Sequence, residues 1–147
     1  MLGIIVATHG KMSDGLVDAV NLILGETNNV ETLNLYQGDD IDNLNKQMVE
    51  AINKVDQGDG VVIFTDLFGA SPYNQATLAI NSLPEDKKND VHVITGVNLP
   101  MLLEAITHQL LNTPVKETVD MIVNTAKDSV VTWSAAEIDT EDDDDDF

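Results

Sequence analysis

Residues 60–72 read GVVIFTDLFGASP, and this stretch decides the fold. The segment from Val61 to Thr65 is β-branched or aromatic and lacks polar alternation, which is typical of a strand buried on both faces. Ser71 and Pro72 then predict the start of a helix, with serine at the N-cap and proline at the first helical position. A buried strand that leads through a glycine-containing turn into a helix indicates a parallel β-α unit.

The rest of the chain repeats this alternation of apolar strands and amphipathic helices. Further strands are predicted at residues 2–7, 30–36 and 91–95, with a short last one at 130–133. Helices are predicted from Ser13 to Leu24, from Asp39 or Asp40 to Val55, from Ser71 to Leu83, from Asn98 to Leu110 and from Val115 to Lys127. The order β-α-β-α-β-α-β-α-α-β predicts an α/β fold, a doubly wound and mainly parallel sheet with helices on both faces. Only the short last strand is a candidate for an antiparallel position.

Composition indicates one globular domain with a strongly acidic surface. The 147 residues suffice for one core, include no cysteine, and contain no apolar run of the ~20 residues that a membrane helix needs. The formal charge is −19, and eight of the 26 acidic residues lie after residue 136, where no basic residue occurs. An acidic body repels phosphate backbones, which argues against nucleic acid and favours a basic protein partner. We expect one domain at residues 1–135, a disordered acidic tail at 136–147, and a cytoplasmic location.

Two segments with chemical potential follow predicted strands. Thr8-His9-Gly10 follows the first strand, and Asp66 follows the third. In open α/β sheets ligands bind outside the carboxyl ends of the strands, near the point where strand order reverses. Because the first and third strands are often neighbours at that point, we expect His9 and Asp66 to lie within reach of each other.

A histidine paired with a carboxylate suits phosphoryl transfer. A neutral imidazole attacks phosphorus through one ring nitrogen, while a carboxylate on the other nitrogen fixes the tautomer and stabilises developing positive charge. Gly69 and Ala70 precede a helix whose backbone N–H groups can receive phosphoryl oxygens, and the Ser71 hydroxyl either adds a donor or caps the helix. Each residue also has a simpler explanation: His9 as a surface residue, Asp66 as a turn cap, and the glycines as turn formers.

Metal and nucleotide chemistry find no support in the sequence. The three histidines, His9, His92 and His108, lack the close spacing of metal ligands, so no metal site is predicted. Neither GxxxxGK[ST] nor GxGxxG occurs, so no nucleotide or dinucleotide cofactor is expected.

Three segments resemble the signatures of IIA components of the mannose, fructose and sorbose type from the sugar phosphotransferase system (PTS). They are residues 4–10 (IIVATHG), 65–74 (TDLFGASPYN) and 96–102 (GVNLPML). The resemblance implies that Nε2 of His9 accepts a phosphoryl group from the phosphocarrier HPr and donates it to a IIB component, with Asp66 bonded to Nδ1 and Ser71 holding phosphoryl oxygens. It further implies a phosphate- or partner-binding rim formed by Thr8, Gly10, Gly69, Ala70 and Asn98.

The same resemblance implies an assembly. The family forms homodimers in which the last strand can be exchanged between subunits, and residues 130–133 are the corresponding segment here. It works with the membrane permease components IIC and IID and requires no cofactor.

Other families remain open at this point. A IIA-like donor to dihydroxyacetone kinase has the same fold and a histidine after its first strand, although residues 96–101 favour the sugar branch. A receiver-like domain with Asp66 as phosphoacceptor requires an acidic pair after the first strand, but this chain has Thr8-His9-Gly10 there. A mutase-like phosphatase requires an arginine before His9, where this chain has Thr8. A flavodoxin-like binding module without catalysis is the remaining alternative.

Overall fold

A computed structural model describes residues 1–136 and shows a four-stranded parallel sheet with helices on both faces. The elements are β1 Gly3–His9, α1 Met12–Leu24, β2 Val30–Leu35, α2 Ile41–Val55, β3 Val61–Thr65, α3 Ser71–Asn81, α4 Glu85–Lys88, β4 Val91–Ile94, α5 Leu99–Leu111 and α6 Val115–Asp128. The predicted α/β class and doubly wound parallel sheet are confirmed. No helix in the described part of the chain is long and apolar enough to cross a membrane.

Apolar strands separate two cores, one on each side of the sheet. Ile4, Val6, Val62 and Phe64 pack against α1, α5 and α6, whereas Ile5, Ala7, Val61 and Ile63 pack against α2 and α3. Successive side chains of a strand point to opposite faces of the sheet, so a strand whose side chains pack in both cores must be apolar at successive positions. This requirement explains why residues 61–65 show no polar alternation.

The strand order β2-β1-β3-β4 determines which strand ends are neighbours at the carboxyl edge of the sheet. The chain leaves β1 towards β2 on one side and continues through β3 to β4 on the other. Ala7 of β1 pairs with Thr65 of β3, and Thr8 and His9 pair with Asn34 and Leu35 of β2. The carboxyl ends of β1 and β3 are therefore neighbours at the reversal of strand order, where open α/β sheets bind ligands.

Asp40 and Asn98, at two of the predicted helix starts, are N-caps in the structure, whereas Ser13 and Ser71, which the sequence suggests as N-caps, are not. Asp40 caps α2 by accepting the N–H of Asp42 at 2.9 Å, and Asn98 caps α5 by accepting the N–H of Met101 at 3.0 Å. Ser13 instead lies inside α1, where its N–H donates to Oγ1 of Thr8, so a threonine from β1 satisfies that helix end. Ser71 is the first residue of α3 and not its cap.

The strand predicted at residues 130–133 is absent from the described part of the chain. Residues 130–134 form no strand in the single chain, and Val130, Val131 and Trp133 are each more than 70% exposed. A strand requires a neighbour that satisfies its backbone groups, and the single chain supplies none here. Exchange of this segment between subunits stays a prediction. The acidic tail lies outside the described residues from 137 onwards, and the division at residue 135 stays a prediction.

Candidate active site

His9 and Asp66 form a hydrogen-bonded pair at the carboxyl edge of the sheet. Oδ2 of Asp66 lies 2.8 Å from Nδ1 of His9 and also accepts the backbone N–H of His9 at 3.0 Å. The carboxylate is an acceptor, so it selects the tautomer with a proton on Nδ1 and leaves the lone pair on Nε2. The side chain of His9 is 48% exposed and that of Asp66 14%. The imidazole is therefore about half exposed, while the carboxylate bonded to it is largely buried.

The pair keeps Asp66 ionised. Burial alone raises the pKa of this carboxyl, but hydrogen bonds from the ring of His9, the N–H of His9 and its own N–H outweigh that effect. The resulting pKa of Asp66 lies below its ordinary value of 3.8. At neutral pH the side chain is an anion that can stabilise positive charge on the imidazole.

The loop from Asp66 to α3 adds a set of backbone donors. Gly69 adopts φ +78°, a conformation that side chains disfavour, and its carbonyl accepts the side-chain N–H of Asn74 at 2.9 Å. Helix geometry leaves the N–H groups of Ser71 and Tyr73 without intrahelical acceptors, and Pro72, between them, has no N–H group. The helix start therefore presents N–H groups and the positive end of the α3 dipole beside the loop of Asp66.

Thr8 and Asn98 support the edge from within. Thr8 is 1% exposed and its hydroxyl accepts the N–H of Ser13 at 2.8 Å, while Oδ1 of Asn98 is occupied as the cap of α5. The structure thus brings Thr8 to the turn after His9 but does not present its side chain at the surface. Gly10, at φ +57°, donates its N–H to the carbonyl of Leu35 at 2.8 Å.

Exposed apolar side chains lie on the segments that follow β1, β2 and β3, and they were not identified from the sequence. Leu67 is 60% exposed and Phe68 73%, and the ring of Phe68 packs on Tyr73 with centroids 5.0 Å apart. Met12 and Tyr36, which follow β1 and β2, are also exposed. The feature of the sequence that indicates this surface is the apolar pair directly after Asp66, in a segment otherwise typical of a loop. Such side chains at the edge of a site are suited to contact with a protein partner.

A polar side chain on β2 was also missed. Asn34 accepts the hydroxyl of Ser13 and donates to Asp14 at 2.7 Å and to Tyr36 at 3.2 Å. One asparagine in an amphipathic strand gives no signal by itself, because its contacts arise only when β2 lies beside α1. Within residues 1–136, no group of three or more His, Cys, Asp or Glu side chains is placed to hold a metal ion.

Comparison with known proteins identifies the family of the chain. Residues 3–123 match the family model described as "PTS system fructose IIA component". The fructose-specific EIIA component of Bacillus subtilis is 31% identical over 107 residues, covering 73% of this chain and 70% of that protein. The mannose-specific EIIAB component of Escherichia coli K12 is 29% identical over 129 residues, covering 88% of this chain but only 38% of that protein.

Solved structures show the same architecture. A phosphotransferase system component EIIA from Streptococcus agalactiae superposes with a TM-score of 0.80 at 26% identity, covering 90% of this chain and 97% of that one. The PTS IIA protein associated with the fucose utilization operon of Streptococcus pneumoniae gives 0.73 at 29% identity, with coverages of 89% and 92%. The matched segment contains His9, Asp66, Ser71 and Asn98, and with most of the chain covered, this protein belongs to the family of PTS fructose IIA components.

Proposed function

We propose that this protein is a phosphoryl carrier that binds the phosphoryl group on Nε2 of His9. The observation that carries the proposal is the 2.8 Å hydrogen bond between Nδ1 of His9 and Asp66, which leaves Nε2 as the exposed nucleophile. The tautomer selected by this bond is the one that phosphoryl transfer requires at Nε2.

In this proposal the transfer of a phosphoryl group from the donor to His9 needs no cofactor. The lone pair of Nε2 forms a bond to the phosphorus of the donor's phosphoryl group, and the bond from phosphorus to the donor atom breaks with its electron pair. Positive charge then develops on the ring of His9, where the anionic Asp66 stabilises it. Delivery is the reverse step towards an acceptor nucleophile.

The start of α3 receives the phosphoryl oxygens in this scheme. Ser71 is the first residue of that helix, so its hydroxyl and N–H are available near the loop that carries Gly69 and Ala70. Charge on the equatorial oxygens spreads during transfer, and prealigned N–H and O–H donors stabilise it. We assign Gly10 and Asn98 to shaping the rim, and Thr8 to supporting it.

The partners in this proposal are proteins. HPr is the donor and a IIB component the acceptor, within the cytoplasm, as part of coupled sugar uptake through separate IIC and IID membrane components. The exposed Leu67 and Phe68 beside an open histidine support contact with a protein surface. The chain acts as a homodimer in this scheme, with residues 130–133 covered by a second subunit.

Intact mass tests the proposal after incubation with phosphoenolpyruvate, the general phosphotransfer enzyme and HPr. We expect one acid-labile phosphoryl group on the wild type and none on His9→Ala, followed by its loss when a IIB component is added. Wild-type protein that stays unmodified with an active donor system contradicts the carrier role, and transfer only to a dihydroxyacetone kinase subunit contradicts the assignment to sugar uptake.

A further inference from the structure

The side chain of Asn34 uses its carbonyl oxygen and both of its N–H groups beside the turn that carries His9. Its Oδ1 accepts the hydroxyl of Ser13, and its amide nitrogen donates to Oδ2 of Asp14 at 2.7 Å and to the hydroxyl of Tyr36 at 3.2 Å. With all three groups bonded, the amide has one orientation. Asn34 lies in β2 directly opposite Thr8 of β1.

These contacts continue into the buried base of the turn. Ser13 is fully buried, and its N–H donates to Oγ1 of Thr8 at 2.8 Å. We call Thr8, Ser13, Asp14, Asn34 and Tyr36 the Asn34 network. It links the end of β1, the first turn of α1 and β2, and so connects the elements on either side of residues 10–11.

A second bond fastens the same turn to β2. The N–H of Gly10 donates to the carbonyl of Leu35, the residue after Asn34, at 2.8 Å. Gly10 has φ +57° and is intrinsically pliable, so its position depends on such contacts. Thr8 and Ser13 are the buried members of the network, and buried polar groups whose hydrogen bonds are satisfied add rigidity to the backbone that carries them.

We propose that Asn34 is a positioning residue for phosphoryl transfer, acting through Ser13 and Thr8 to hold the turn that aims Nε2 of His9. The inference rests on the proposed carrier function. Asp66 fixes the rotation of the imidazole, and the Asn34 network fixes the backbone from which the ring extends. In addition, the hydrogen bond from Asn34 favours a position of the exposed Asp14 carboxylate beside β2.

The test compares Asn34→Ala and Ser13→Ala with a control, Asn89→Ala. Asn89 is exposed at the opposite edge of the sheet, just before β4. Misplacing a reacting group by an ångström slows reaction by about a hundredfold, so we expect single-turnover transfer from phospho-HPr to slow about 10- to 100-fold in Asn34→Ala. Ser13→Ala slows in the same direction, Asn89→Ala keeps the wild-type rate, and half-saturation by HPr is unchanged in all three.

A spectroscopic readout separates positioning from loss of fold. In ¹⁵N-labelled protein, the ring signals of His9 in Asn34→Ala should move towards an average of tautomers or broaden, while amide signals of β3 and α6 stay in place. Ser13→Ala serves as the milder variant if Asn34→Ala melts early.

Several results overturn the proposal. Wild-type rates and unchanged His9 ring signals in both variants overturn the positioning role while leaving the carrier function intact. A loss confined to half-saturation makes Asn34 a docking residue, and a rate that follows the unfolded fraction makes it a folding residue. A wild type that accepts no phosphoryl group refutes the carrier function itself.

Discussion

Replacing Asp66 by asparagine isolates the charge of the His9 pair. Asparagine keeps the size of the side chain and can still accept a hydrogen bond from Nδ1, but it carries no negative charge. The predicted consequence is slower phosphoryl transfer, because positive charge that develops on the ring loses its counter-ion.

The magnitude follows from the geometry. Unit charges 2.8 Å apart attract by about 6 kcal/mol at an effective dielectric constant of about 20. The ring carries only part of a unit charge in the transition state, and His9 is 48% exposed, so screening reduces the difference to about 2–3 kcal/mol. At about 1.4 kcal/mol per factor of ten, transfer slows about 30- to 150-fold.

The assay is rapid-quench transfer from phospho-HPr in a single turnover. Asp18→Asn, on the exposed side of α1, changes the net charge equally and serves as the control. We expect Asp18→Asn to keep the wild-type rate. Equal rates for wild type and Asp66→Asn would refute the reasoning, because Asp66 would then contribute no charge stabilisation.

Further predictions concern titration and packing. The ¹³C carboxyl signal of Asp66 should titrate with a midpoint below 3.8, and a midpoint above 3.8 contradicts the assigned hydrogen bonds. Because the pKa of Asp66 is lower in the folded protein, the stability that this residue contributes is present above pH 3.8 and is lost as the pH falls through the folded pKa. Gly69→Ala should lower the free energy of unfolding in urea by about 1–2 kcal/mol through its positive φ alone, since a Cβ there meets open space. Gly3→Ala should destabilise more, because its Cβ would lie 2.6 Å from Cγ2 of Val55, and the reverse order refutes this packing. Phe64→Ala, at a fully buried position, should cost about 3–5 kcal/mol in the same titration, and a loss near zero contradicts the core described for β3.

The sequence predicted the sheet because burial on both faces leaves a simple pattern. Residues 61–64 must be apolar throughout to contribute to both cores, and the alternation of such strands with amphipathic helices then indicates parallel strands. The proximity of His9 to Asp66 followed from topology, since both residues stand at carboxyl ends of adjacent strands.

The remaining features depend on contacts between elements. Serine is a common N-cap residue, yet Ser13 is buried inside α1, and its N–H is bonded to the hydroxyl of Thr8 from the preceding strand. Asn34 and the exposed Phe68 acquire their significance only when three strand ends converge around His9. The strand predicted at 130–133 requires a neighbour that the single chain does not contain.

The central claim is most directly tested by locating the phosphoryl group on the loaded protein. After loading through HPr, ¹H–¹⁵N and ³¹P NMR of ¹⁵N-histidine-labelled protein report which ring nitrogen carries phosphorus. We predict a single phosphoryl group on Nε2 of His9, with Nδ1 still protonated and bonded to Asp66. Phosphorus on Nδ1 of His9, or on any other residue, would contradict the account.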